Sequence, residues 1–196
     1  MEAERAALGV LPFIDQGHEA GLRAFAAELL GELKVPTTIA VLEAAASEED
    51  EAVHVAAIDA IVRFERKQAT DALERLVGIQ GDSPTPRLIR AMGEARDPRF
   101  LSTLTSLASR LDEARAMAAI GALGASGCRE AAGALGDVAS SGAPVQYKAA
   151  AWDALMRLGN ALLYEGQRET AAEVFGRALQ LALTDDGRYA ATDEKR

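Results

Sequence analysis

The chain has 196 residues, 49% hydrophobic but only 5% aromatic, and 30 acids against 21 bases give it a formal net charge of −9. Without a basic block it lacks the electrostatic attraction behind most non-specific nucleic-acid affinity, so neither DNA nor an anionic membrane is an expected partner. A core short of aromatics has to be filled by Ala, Leu, Ile and Val, which favours helices packed closely through small residues.

The first residues, MEAERAALGV, carry acids where a secretory signal has bases, and no apolar run approaches about 18 residues. A single cysteine, Cys128, permits no internal disulfide. These features point to the cytoplasm. Arginine outnumbers lysine 17 to 4 amid abundant Ala and Gly, a bias associated with GC-rich bacterial genomes. The acidity is uneven, −8 over residues 1–98 and −1 over residues 99–196.

A beat of 31 residues organises the chain. Its marker is an apolar residue near the end of each expected first helix: Leu30, Ile61, Met92, Leu123 and, one residue late, Leu155. One place before the marker stand Leu29, Ala60, Ala91, Ala122 and Ala154. Three before it are Ala27, Ile58, Ile89, Ile120 and Trp152, and four before it Ala26, Ala57, Leu88, Ala119 and Ala151. Offsets of −4, −3, −1 and 0 make one apolar stripe, so all of these, Trp152 included, read as core.

A second helix follows in each unit. Its core columns are Thr38, Ala69, Phe100 and Ala131 at +8, Leu42, Leu73, Leu104 and Leu135 at +12, and Ala45, Leu76, Leu107 and Val138 at +15. The intervening turn reads Val35-Pro36, Arg66-Lys67, Asp97-Pro98 and Cys128-Arg129, and proline suits the first turn of a helix. Shifted back by one beat, Leu11 and Ile14 fall on the +12 and +15 columns. Residues 1–16 therefore read as a lone second helix, broken by Pro12 and serving as an N-terminal cap. Residues 17–139 make four regular units. The fifth departs from the beat, with Gln167 at +12, so its first helix must run longer. The whole reads as one domain over 1–183, closed by a longer hairpin at 145–183 and followed by a polar tail at 184–196. The expected fold class is all-α, a right-handed α-α superhelix of about five stacked helical hairpins.

The stretches LRAFAAELLGELKVPTTIAVLEA (22–44), VHVAAIDAIVRFERKQATDALERL (53–76) and RLIRAMGEARDPRFLSTLTSL (87–107) resemble the short bacterial HEAT-like repeat, also known from the phycobilisome-lyase group. The last hairpin is similar to a tetratricopeptide motif in Leu158-Gly159, Gly166, Ala171, Phe175 and Ala178, with Leu155 where that motif has tryptophan and no closing proline. The HEAT resemblance implies a solenoid whose second helices line the concave face and bind other proteins. It leaves a chromophore lyase or isomerase subunit, and a self-associating structural scaffold, as alternatives. It also brings to mind the HEAT-like alkylpurine DNA glycosylases, whose basic, aromatic-lined groove this acidic chain with one tryptophan does not offer.

Few residues here point to chemistry. Cys128 occupies a turn slot held by Val, Arg or Asp in sister units, and the glycines around it read as turn punctuation. His18-Glu19 resembles the metal-binding pairs of HEAT-repeat di-iron hydroxylases, but the pair occurs once and His54 is followed by Val55. Both histidines read as solvated helix starts. The run Glu48-Glu49-Asp50-Glu51 reads as capping for the following helix. GDSPTP (81–86) reads as a loop with proline leading into a helix, with Ser83 and Thr85 as conceivable phosphorylation sites. No phosphate-cradling loop, nucleophile elbow or carboxylate pair stands out, so the expectation is a non-enzymatic adaptor or scaffold without cofactor or metal. The candidate contact surface is the set of second-helix positions off the core stripe: Thr37, Gln68, Arg99 and Glu130 at +7, Asp71 and Ser102 at +10, and Arg75, Ser106 and Asp137 at +14. Ala40, Gly133 and Ala44 complete the last two rows. Small side chains and mixed charge suit a peptide or protein partner.

Overall fold

The computed structural model describes residues 1–109, 112–140 and 144–184, and all regular structure among them is helical. The polar tail expected from 184 lies, beyond Thr184, outside the described residues. In chain order the helices are α1 (Glu2–Val10, continued by a 3-10 turn at Leu11–Ile14), α2 (Ala20–Leu33) and α3 (Ile39–Ala45, led in by a 3-10 turn at Pro36–Thr38). Then come α4 (Glu51–Val62), α5 (Arg66–Gln80), α6 (Pro86–Glu94) and α7 (Leu101–Ala108, led in by a 3-10 turn at Pro98–Phe100). The chain continues with α8 (Glu113–Ala125), α9 (Ala131–Ser140), α10 (Val145–Tyr164) and α11 (Arg168–Thr184). First and second helices alternate, and neighbours pack as in an α-solenoid of helical hairpins. Among the described residues no helix is long and apolar enough to cross a membrane. The chain divides into two compact units, Met1–Ala91 and Met92–Arg196.

In the first unit α4 packs on α2 and α3, while α1 and its 3-10 turn pack on α2. The first helices approach so closely because Gly31 has no side chain: a Cβ there would lie 2.7 Å from Cα and Cβ of Ala60. Asp50 starts α4 by accepting from the Ala52 and Val53 N–H groups at 3.0 and 3.1 Å, which is the capping expected of the acidic run. Arg23, buried in α2, donates through Nε to the Ile14 carbonyl at 3.2 Å and pairs with Glu48. It thereby ties the N-terminal turn and the α3–α4 loop to one helix. Ion pairs Arg63–Glu32 and Arg87–Asp59 join successive hairpins at the surface.

In the second unit α8 packs against α7, α9 and α10, and α10 also packs against α9 and α11. The close approach recurs. A Cβ on Gly93 would lie 2.6 Å from the Ala122 Cα, and one on Gly124 2.8 Å from the Ala154 Cα. The last hairpin is longer: α10 runs 20 residues, and its Gly159 is filled by the Phe175 ring, which a Cβ would meet at 2.5 Å. Its second-helix residues Ala171 and Ala178, both buried, and the half-buried Phe175 between them stand at offsets +16, +23 and +20 from Leu155, two helical turns later than in the regular units.

The five markers are all fully buried, as are nearly all the core columns. Two members are not: Leu29 is 36% exposed and Trp152, read from sequence as core, is 40% exposed. Each stands on a side of its helix that a neighbouring first helix covers elsewhere. His54 also departs from expectation. Asp50 sets the helix start far enough back that His54 points inward from the first turn, with Nδ1 2.6 Å from the Ala46 carbonyl oxygen and Nε2 2.8 Å from the Thr85 hydroxyl. Thr85 in turn accepts from the Leu88 N–H at 3.3 Å, so it caps α6 and holds the histidine in place. Of the glycines near Cys128, Gly127 turns the chain with φ +64°, whereas Gly124 is helical and serves the close approach to Ala154.

Candidate functional site

The second helices carry the surface residues picked out by the rows, and the structure sorts them. In the first unit Gln68, Asp71 and Arg75 of α5 face Ala40 of α3 across an open cleft of about 480 Å3, completed by Pro36, Ile39 and Glu43. Thr37 is exposed at the start of this face without lining the cleft. In the second unit Asp137 of α9 lines another open cleft of about 450 Å3, with Gly133, Gly136 and Ser140 of α9 and Arg177, Gln180 and Leu181 of α11. Arg99, Ser102, Ser106 and Glu130 are exposed on and around α7 and at the start of α9, and line neither cleft.

Electrostatics in the α3–α5 cleft are set by one bidentate pair. Arg75 donates from Nη2 and Nε to the two Glu43 carboxylate oxygens at 2.5 and 3.1 Å. That hydrogen bond, reinforced by the charges of Glu43, Asp71 and Glu74, holds the guanidinium above its already high ordinary pKa against some desolvation. Arg75 is therefore a compensated charge bridging two hairpins, and the cleft carries a net −1 from Glu43 and Asp71 against Arg75. Arg99 is likewise engaged, with its Nε 3.3 Å from Asp97, whose carboxylate also accepts the Arg99 N–H at 3.0 Å.

Glu43, Ile39 and Pro36 were missed because they stand one position from the chosen rows, on the flank of α3 that faces α5. Arg177 was missed because the regular beat ends before α11. Moving the +14 row by the two extra turns of the last hairpin would have placed Arg177 in line with Asp137. Cys128 sits half-buried in its turn, with its N–H donating to the Ser126 hydroxyl at 3.2 Å. His18 is exposed beside the Phe13 ring, with centroids 5.6 Å apart. Among the described residues no group of three or more His, Cys, Asp or Glu side chains could hold a metal ion.

No curated protein matches the chain. Residues 9–85, which hold the second half of the cap and the first two hairpins with the α3–α5 cleft, match the family model described as HEAT repeats. This stretch is thus similar to a repeat family whose members generally mediate protein–protein contact and typically act as non-enzymatic scaffolds.

Proposed function

We propose that the protein is a non-enzymatic interaction module, an adaptor or scaffold in a bacterial cytoplasm, which receives a protein or peptide segment on the face of its second helices. The observation that carries this reading is the α3–α5 cleft, open and lined by Pro36, Ile39 and Ala40 on one side and by Gln68, Asp71 and Arg75 on the other. Apolar surface beside a few oriented polar groups suits an extended or helical polypeptide. The clamp between Glu43 and Arg75 supports rigid display, because a surface ordered in advance loses little entropy when a segment docks. The α9–α11 cleft, with Asp137 and Arg177, belongs to the same reading as a second contact region. The solenoid is taken as one domain over residues 1–183, and the closing hairpin as tetratricopeptide-like.

Reversing the charge of Arg75 would set three carboxylates together and disturb the cleft itself. Ala40 is the better probe, being exposed and small. With a partner recovered by crosslinking through exposed Thr37, Ala40→Trp is expected to weaken binding at least about tenfold, roughly 1.4 kcal/mol, with the melting temperature unchanged. Calorimetric titration showing wild-type affinity in this variant would remove the cleft from the binding surface.

A further inference from the structure

The first helices stack through two opposite sides. One side carries the marker +1 position: Gly31 of α2 meets Ala60 of α4, Gly93 of α6 meets Ala122 of α8, and Gly124 of α8 meets Ala154 of α10. The other side carries −1 together with −5 and −8, which lie on the same flank of the helix. In α4 these three are Val53, Ala56 and Ala60, and all are buried. In α2 they are Leu22, Phe25 and Leu29, exposed by 42, 55 and 36%. Their small or covered counterparts are thus replaced by large apolar side chains on the one first helix that, among the described residues, has no first helix before it.

The opposite flank shows the reverse at the last hairpin. Position −3 holds Ala27, Ile58, Ile89 and Ile120, all fully buried, yet Trp152 in α10 is exposed. Val145, one heptad before Trp152, and Leu163, three turns after it, share its flank and are 68 and 47% exposed. Each stripe is the kind of surface that the chain itself covers wherever another first helix is at hand.

We propose that a second copy of this chain covers each stripe, with Leu22, Phe25 and Leu29 of α2 in one copy receiving Val145, Trp152 and Leu163 of α10 in the next. The argument for this occupant is continuity: the contact repeats between copies the first-helix stacking that runs through each unit, and one chain carries both halves of it. Because the two halves differ, the contact is heterologous, so copies add head to tail and either close into a ring or extend. The surface is distinct from the second-helix clefts, so this assembly and partner binding can fail separately.

Trp152 is the only tryptophan and lies within the proposed contact, which makes it a reporter. Raising the protein to about 200 μM, a range suited to a small apolar contact, is expected to increase the sedimentation coefficient and shift tryptophan emission to the blue. Phe25→Lys and Trp152→Lys, both at exposed positions, are each expected to stay monomeric while keeping wild-type circular dichroism. Leu22→Lys, on the same stripe as Phe25, is an independent variant with the same expected outcome. Mixed together, Phe25→Lys and Trp152→Lys should form one-to-one dimers that grow no further, because each retains the half that the other has lost. The emission of the Phe25→Lys copy should shift to the blue on mixing. A wild-type chain that stays monomeric, either variant associating alone, or a mixture without dimers would overturn the proposal. So would loss of association on removal of residues 185–196, which would make the tail the occupant. Ala40→Trp is expected to assemble normally.

Discussion

Thr70 is fully buried in α5, and its hydroxyl is a buried polar atom without a hydrogen-bond partner. A hydroxyl stripped of water and left unpaired costs free energy, and valine fills nearly the same volume without that cost. Thr70→Val is therefore expected to raise the stability by about 1 kcal/mol, read as a higher urea midpoint with an unchanged slope. Position 70 stands one place past the +8 column and off the core stripe, so its place in the second helix was legible from periodicity, but its burial and its missing partner were not. The same holds for His54. Its place in α4 follows from the pattern, whereas its two hydrogen bonds depend on Ala46 and Thr85, from the preceding and following loops. Arg75 looked like an available charge on a surface row, yet Glu43, 32 residues earlier, holds it.

At the scale of elements, spacing between first helices rests on absent side chains. Replacing Gly31 by Ala pits two effects against each other. Helix propensity favours Ala by about 1 kcal/mol, while forcing a methyl against a backbone Cα 2.7 Å away costs about 1–3 kcal/mol because a packed helix cannot yield as a flexible side chain can. Overpacking wins, and Gly31→Ala is expected to lower stability. Gly121 in α8 provides the contrast, since a Cβ there meets nothing within 4 Å. Gly121→Ala should stabilise by about 0.5–1 kcal/mol, and chemical denaturation of the two variants should give opposite signs. The columns revealed helices, their order and their core faces. They did not reveal that Gly124, in a stretch that reads as loop, would be a helix contact, because only the position of α10 makes a missing Cβ necessary there. The longer α10 was announced by Gln167 falling where leucine recurs, since a broken period signals an inserted turn.

For the whole molecule, the net charge of −9 opposes any meeting of two copies, while the proposed contact between α2 and α10 is apolar. Screening should then strengthen assembly: raising salt from about 0.02 to about 0.5 M shortens the Debye length to a few ångströms and removes repulsion without touching hydrophobic attraction. Sedimentation across that range is expected to show tighter association, whereas a contact made by ion pairs would loosen. By itself the sequence determined that this protein is built of repeated helical hairpins with aliphatic seams, because burial along a helix follows a local period and the leucines recur at one interval. Only the tertiary structure decided which apolar flanks are covered, which charges are matched and where clefts open. Those properties belong to pairs of hairpins some thirty residues apart, and a residue such as Trp152 is core or surface according to whether another helix stands beside it.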